Sequence, residues 1–230
     1  MIILRSASER GLTHTPWLRS FHTFSFADYY DRAWMGFDTL RVINEDTVQP
    51  GEGFGMHPHN DMEIISYVIE GALEHRDSMG TGSVIRPGEI QRMSAGSGVR
   101  HSEFNHSKTE LLHFLQIWIL PKQTKLSPSY EQKAIPKINN QWILIGSPTG
   151  RDNSITIHQD IDLYSVSLTP KHTITTTLPT NKQAWLQLIT GEISLNNQLL
   201  TAGDGAAISR IETIHITCAA TAEFLWFVMG

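Results

Sequence analysis

The sequence predicts an all-β protein of two similar, stacked antiparallel barrels, and three observations carry that prediction. Between Gly51 and Leu120, short β-type runs such as Ile64 to Ile69 alternate with turns at Gly71, Gly80, Gly82, Gly88, Gly96 and Gly98, the spacing of an antiparallel sandwich or barrel. Nothing there reads as a long amphipathic helix. The later part of the chain also resembles a worn copy of the earlier part. Val68-Ile69-Glu70-Gly71-Ala72-Leu73-Glu74 aligns with Leu188-Ile189-Thr190-Gly191-Glu192-Ile193-Ser194, and Arg86-Pro87-Gly88-Glu89 with Thr201-Ala202-Gly203-Asp204. The glycine-to-glycine interval is 17 in the first copy and 12 in the second, so the second hairpin is the shorter.

In chain order, Met1 to Leu4 reads as a strand, followed by an aromatic segment holding Trp17, Phe21, Phe24, Phe26, Tyr29 and Tyr30. Core filling explains such a cluster best, with a lid or mouth lining as the alternative. Leu40 to Ile43 is a strand, and Gln49-Pro50-Gly51 a turn. Ile117 to Leu120 closes the first β block and Pro121 ends it. Residues 121–150 are poor in apolar positions and read as a linker, with one helical turn around Ser129 to Lys133. Trp142 to Ile145 and Ile155 to Ile157 open the second β region. The expected division is residues 1–128 and 129–230.

At 230 residues with 40% apolar side chains the chain can bury a sizeable core. No apolar run approaches the ~18 residues needed to span a bilayer. Arg5, Glu9 and Arg10 argue against a cleaved signal peptide. The single Cys218 excludes an intramolecular disulfide framework and fits a reducing cytoplasm. The net charge of −5 falls on residues 1–120, with 10 basic against 15 acidic side chains; residues 121–230 carry 8 of each. No basic excess exists to hold phosphates, which disfavours direct nucleic-acid binding.

Chemistry concentrates in two pairs, His57-Pro58-His59 and His101-Ser102-Glu103. Residues two apart on a strand share a face, so two such strands facing one another surround a single point. Three imidazoles and a carboxylate suit a first-row transition metal and leave two octahedral positions for substrate or oxygen. Glu63 competes with Glu103 as the fourth ligand, because it shares parity with His57 and His59. If not a ligand, Glu63 would orient a histidine ring N–H from behind. His106 falls in a turn, His113 between Leu112 and Phe114 reads as packed, and His75 reads as a solvent-side strand residue. The second copy offers only His172, His215 and Cys218, without the paired spacing, so its barrel is expected to be metal-free.

Gly51-x5-His57-x-His59-x3-Glu63 followed by Gly71 resembles the first motif of the cupin superfamily, whose last glycine comes one position earlier. Gly88-x5-Ser94-x-Gly96, then His101-x3-Asn105, resembles the second motif, with serine for proline and two extra residues before the histidine. A longer resemblance is to the pirin family. It rests on His22 to Tyr30, Leu40 to Asp46, Gly53 to His59, Asp61 to Val68 and Met93 to Glu103, and continues more weakly through Gly203 to Ala206.

The resemblance implies a jelly-roll bicupin with one metal, usually Fe(II), in the N-terminal barrel. It implies His57, His59, His101 and Glu103 as ligands. It also implies an enzyme like the quercetinases, which open a flavonol ring with dioxygen and release carbon monoxide. Phe54 and Met56 would line the mouth, and Glu103 would take the proton of the flavonol 3-hydroxyl. Asn60 stands at the expected pocket rim where pirins often carry a basic residue. Two other roles compete. Some pirins resemble redox-dependent co-regulators that dock on transcription factors or metabolic enzymes, and the acidic first half would then be the docking face. A cupin isomerase or sugar-binding protein fits the fold but not the pirin stretches. The resemblance favours a monomer.

Overall fold

The computed structural model describes residues 1–230. Its strands are β1 (Ile2–Arg5), β2 (Gly11–His14), β3 (Leu18–His22), β4 (Leu40–Val48), β5 (Gly53–His59), β6 (Glu63–Glu70), β7 (Leu73–Asp77) and β8 (Gly82–Ile85). Next come β9 (Glu89–Ser94), β10 (Val99–Asn105), β11 (Leu112–Ile119), β12 (Ser129–Ala134), β13 (Ile143–Ser147), β14 (Ile155–Thr156) and β15 (Ile161–Leu168). The last are β16 (Thr173–Thr177), β17 (Gln183–Thr190), β18 (Glu192–Leu195), β19 (Gln198–Thr201), β20 (Gly205–Ser209), β21 (Thr213–Cys218) and β22 (Ala222–Met229). The helical elements are two single 3-10 turns, so no helix is long and apolar enough to cross a membrane.

Two compact units form. One holds residues 11–135 and 149–159, the other 1–10, 136–148 and 160–230. In the N-terminal unit a seven-stranded sheet, β12-β9-β6-β11-β4-β3-β2, accompanies a four-stranded sheet, β5-β10-β7-β8. In the C-terminal unit β1-β20-β17-β22-β15-β13 accompanies β16-β21-β18-β19. The four-stranded sheets match member for member and the larger sheets match over six strands, which is the repeated architecture expected from the sequence. Each unit is an open jelly roll of two sheets rather than a single closed barrel.

The repeat extends to single residues. Gly71 and Gly191 both sit at φ +82°, and a side chain at either would run into a backbone carbonyl, that of Leu111 or Thr221. Only glycine reconciles that dihedral with that approach. The hairpin is shorter in the second unit because β18 and β19 are joined by Asn196-Asn197 alone, both at positive φ. That is the geometry of a tight primed turn.

A cut at 128/129 does not divide the chain this way. β1 pairs with β20 and so belongs to the C-terminal unit. Ser129 to Lys133, expected as a helical turn, is instead strand β12 along the edge of β9. An open sheet edge offers unpaired backbone groups, and pairing with them overrides weak local propensity. Arg92, buried on β9, fastens both returning segments of the N-terminal unit. It donates to Ser129 Oγ (2.7 Å), Glu131 Oε2 (3.1 Å) and the carbonyl of Thr156 (2.8 Å).

Candidate metal centre

β10 runs through the middle of the four-stranded sheet, with β5 on one side and β7 on the other. His101 lies opposite His57 on β5 and Asp77 on β7, and Glu103 lies opposite His75. Pro58 on β5, the edge strand, leaves no ladder hydrogen bond unmade. Between these pairs β5 carries one extra residue: His57 faces His101, but Phe54 faces Glu103. Such a bulge turns the next side chain over, so Phe54 joins the face of His57. Gly53 makes it feasible, because a side chain there would collide with the backbone of Glu103 and Phe104.

The three histidines converge as the sequence predicts. Ring centroids are 4.5 Å apart for His57 and His101, 4.7 Å for His57 and His59, and 4.9 Å for His59 and His101. One nitrogen from each falls within 4.8 Å of the others. His57 Nδ1 lies 2.7 Å from the carbonyl of Gly55. A carbonyl only accepts, so Nδ1 carries the proton and Nε2 keeps its lone pair. His59 Nε2 and both nitrogens of His101 are buried without hydrogen-bond partners. Burial, reinforced by the neighbouring His57, pushes His59 down to about 4 and His101 down to about 2, so both are neutral at physiological pH. Neutral buried imidazoles with unused lone pairs around one point are the donor set a divalent metal requires.

Glu103 is 3% exposed and accepts from Ser66 Oγ (3.0 Å) and Gln116 Nε2 (2.6 Å). Burial raises its pKa to about 7; Asp46 nearby adds to the rise, and the two donors oppose it. Asp46 is raised to about 7 by the same cause. Glu103 lies outside the 4.8 Å group of the three histidines; it groups instead with His75 and His101, each placing a donor atom within 4.8 Å of the other two.

A cavity of about 220 Å³ opens over the three histidines and Glu103. Leu18, Phe26, Phe54 and Trp118 form its apolar walls, and His22, Asn44, Asp46 and Gln116 its polar ones. The aromatic segment therefore divides. Phe24 is core, Phe26 is wall, and Tyr30 is 70% exposed.

Other expectations fare differently. Glu63 is turned away from the histidine cluster, with Oε2 3.1 Å from both the backbone nitrogen and Nδ1 of His158 and 3.9 Å from Arg92. Met56, on the opposite parity to His57, is 48% exposed and is not a cavity wall. Asn60 is exposed beyond the end of β5 and is not a wall either. His106 pairs with Glu74 and His113 with Glu45. His75 is fully buried rather than solvent-facing. Its parity with the core residue Leu73 was the available signal, and the flanking Glu74 and Arg76 obscured it.

The family model for pirin matches residues 5–119, and one described as the quercetinase C-terminal cupin domain matches 144–229. The chain belongs to the pirin family. It is 44% identical over 227 residues to a quercetin 2,3-dioxygenase of Escherichia coli (strain K12), covering 99% of this chain and 98% of that one. Among solved structures it is similar to YhhW from Escherichia coli, at 44% identity and a TM-score of 0.98 over 100% of this chain and 98% of the other. It is also similar to the bacterial pirin YhhW from Escherichia coli in complex with nickel(II), at 44% identity and a TM-score of 0.96, covering 100% and 99%. A pirin with this donor set is suited to a divalent metal.

Proposed function

We propose that His57, His59, His101 and Glu103 hold one divalent metal, Fe(II) in the native protein. On this reading the chain is a quercetin 2,3-dioxygenase-type enzyme that opens a flavonol ring with dioxygen and releases carbon monoxide. One observation carries the reading most: neutral, unpartnered imidazole nitrogens and a buried carboxylate line a partly aromatic cavity. Full-length similarity to a named quercetin dioxygenase supports it.

The chain's own residues divide the work. Phe26, Phe54 and Trp118 receive the flat rings and exclude water. His57 is locked in one tautomer by Gly55, which fixes where its lone pair points. Glu103 takes the proton of the flavonol 3-hydroxyl while Ser66 and Gln116 hold its oxygens in place. A bound divalent ion supplies Lewis acidity at that hydroxyl. The single buried cysteine fits a reducing compartment, and the cytoplasm is where the enzyme is expected to act.

The test is oxygen uptake and carbon monoxide release with quercetin, after reconstitution with Fe(II), Ni(II), Mn(II) or Cu(II). Turnover should follow metal content and vanish in His57→Ala and His101→Ala. Turnover in metal-depleted protein overturns the reading. Absence of oxygen uptake with every metal overturns the enzyme and leaves the co-regulator role.

A further inference from the structure

Behind His101, away from His57 and His59, lies a second buried pair that the chemistry above does not use. His75 is fully buried, and its Nε2 lies 3.0 Å from Asp77 Oδ2. Asp77 is itself fixed, because Oδ1 accepts the backbone N–H groups of Met79 (2.9 Å) and Thr81 (3.0 Å) in the turn after β7. The His75 ring is held between Tyr130, at 4.9 Å between centroids, and His101, at 5.4 Å. A carboxylate only accepts, so Nε2 of His75 carries the proton and its Nδ1 is a bare acceptor. That Nδ1 is buried and has no partner. Beside the His75 ring stands His101, whose two nitrogens are both without partners.

We infer that His75 and Asp77 form the positioning pair of the metal centre: His75 Nδ1 accepts the ring N–H of His101 that a metal leaves free. The inference rests on the ligand set proposed above. Imidazoles that bind metals give their second N–H to an acceptor, which fixes the tautomer and raises ligand basicity. No carbonyl or carboxylate fills that role for His101. His75 is the acceptor on hand, with donor atoms of His75, His101 and Glu103 all within 4.8 Å of one another. A small ring rotation or one bridging water closes that span. The resulting chain runs from the β7 turn through Asp77 and His75 to His101, and every link has one donor and one acceptor.

The polarity of this chain can be reversed without removing a side chain. Asp77→Asn keeps Oδ1 for the turn but presents an amide N–H to His75 Nε2. That forces the His75 proton onto Nδ1, where it meets the N–H of His101. Cobalt(II) binding to full-length protein, its ligand-field absorption and the melting temperature of the metal-free protein are the readouts, for Asp77→Asn, His75→Phe and His101→Ala. Asp77→Asn and His75→Phe should weaken cobalt binding by about 10- to 100-fold and shift the absorption bands. Should His75→Phe fail to fold, Asp77→Asn alone decides. Wild-type cobalt affinity and spectrum in Asp77→Asn overturn the inference, even if the metal-free protein melts lower, because the pair would then be structural only. If His101→Ala keeps wild-type cobalt affinity, the ligand set falls and this inference with it. If His101→Ala loses cobalt while Asp77→Asn does not, only the inference falls.

Discussion

The two units fill one architecture in opposite ways. In the C-terminal unit the central strand of the small sheet, β21, buries Ile214, Ile216 and Cys218. These join Leu195 of β18, Ile174 of β16 and Phe224 and Trp226 of β22 in one apolar cluster. In the N-terminal unit the equivalent strand, β10, buries His101, Glu103 and Asn105, and its neighbours bring His57, His59, His75 and Asp77. Backbone order is shared; interior chemistry is not. The frame is sustained by sheets, glycine turns and strand pairing, so its interior is free either to pack or to host a charge. His172 and His215 lie outside the C-terminal cluster, and Cys218 donates to the carbonyl of Thr169.

The largest expected effect separates the units by metal. His57→Ala or His101→Ala should reduce bound metal to background by elemental analysis; retention near one equivalent would show that the histidines are not ligands. Next comes packing. Ile216→Ala should destabilise the protein by about 2–5 kcal/mol in urea denaturation. His59→Ala in metal-free protein should cost less than about 1 kcal/mol, since it removes a buried nitrogen that has no partner. Equal losses would erase the contrast.

Acidity gives the third test. In metal-free protein Glu103 and Asp46 titrate near 7, well above their unfolded values. A raised carboxylate contributes stability that is full below the unfolded pKa and is lost as pH rises through about 7. His59, lowered to about 4, works the other way, with stability lost as pH falls from its unfolded value of 6.5 towards about 4. Melting temperature of the metal-free protein should therefore fall on both sides of a slightly acidic maximum. Glu103→Gln should flatten the alkaline side, by up to about 3 kcal/mol; an unchanged alkaline slope would exclude Glu103 as its source. One further effect should be the same in both units. Gly71→Ala and Gly191→Ala should each destabilise by about 1–3 kcal/mol, and a large difference between them would mean the repeat is not equivalent at that turn.

Parity was the most informative feature of the sequence. It brought His57, His59 and His101 to one face without knowledge of the fold. Glu63 shows its limit. Asp61 takes a left-handed turn (φ 47°) ahead of β6, so parity does not carry across it. The true partner of Glu63 is His158, 95 residues later, a contact no local pattern encodes. The extra residue in β5 is equally silent in sequence, yet it decides that Phe54 rather than Met56 reaches the cavity. His75 was hidden differently: its neighbours Glu74 and Arg76 face solvent and lend the whole strand a polar look.

The opening ten residues complete the sheet of the other half, because β1 lies along β20. A fragment beginning at Pro136 would expose the flank of β20, with its row of unsatisfied amides and carbonyls. Such a flank recruits foreign strands. Anyone wishing to study the C-terminal half in isolation would need to graft Met1 to Arg10 back onto it, by circular permutation or as a separate peptide.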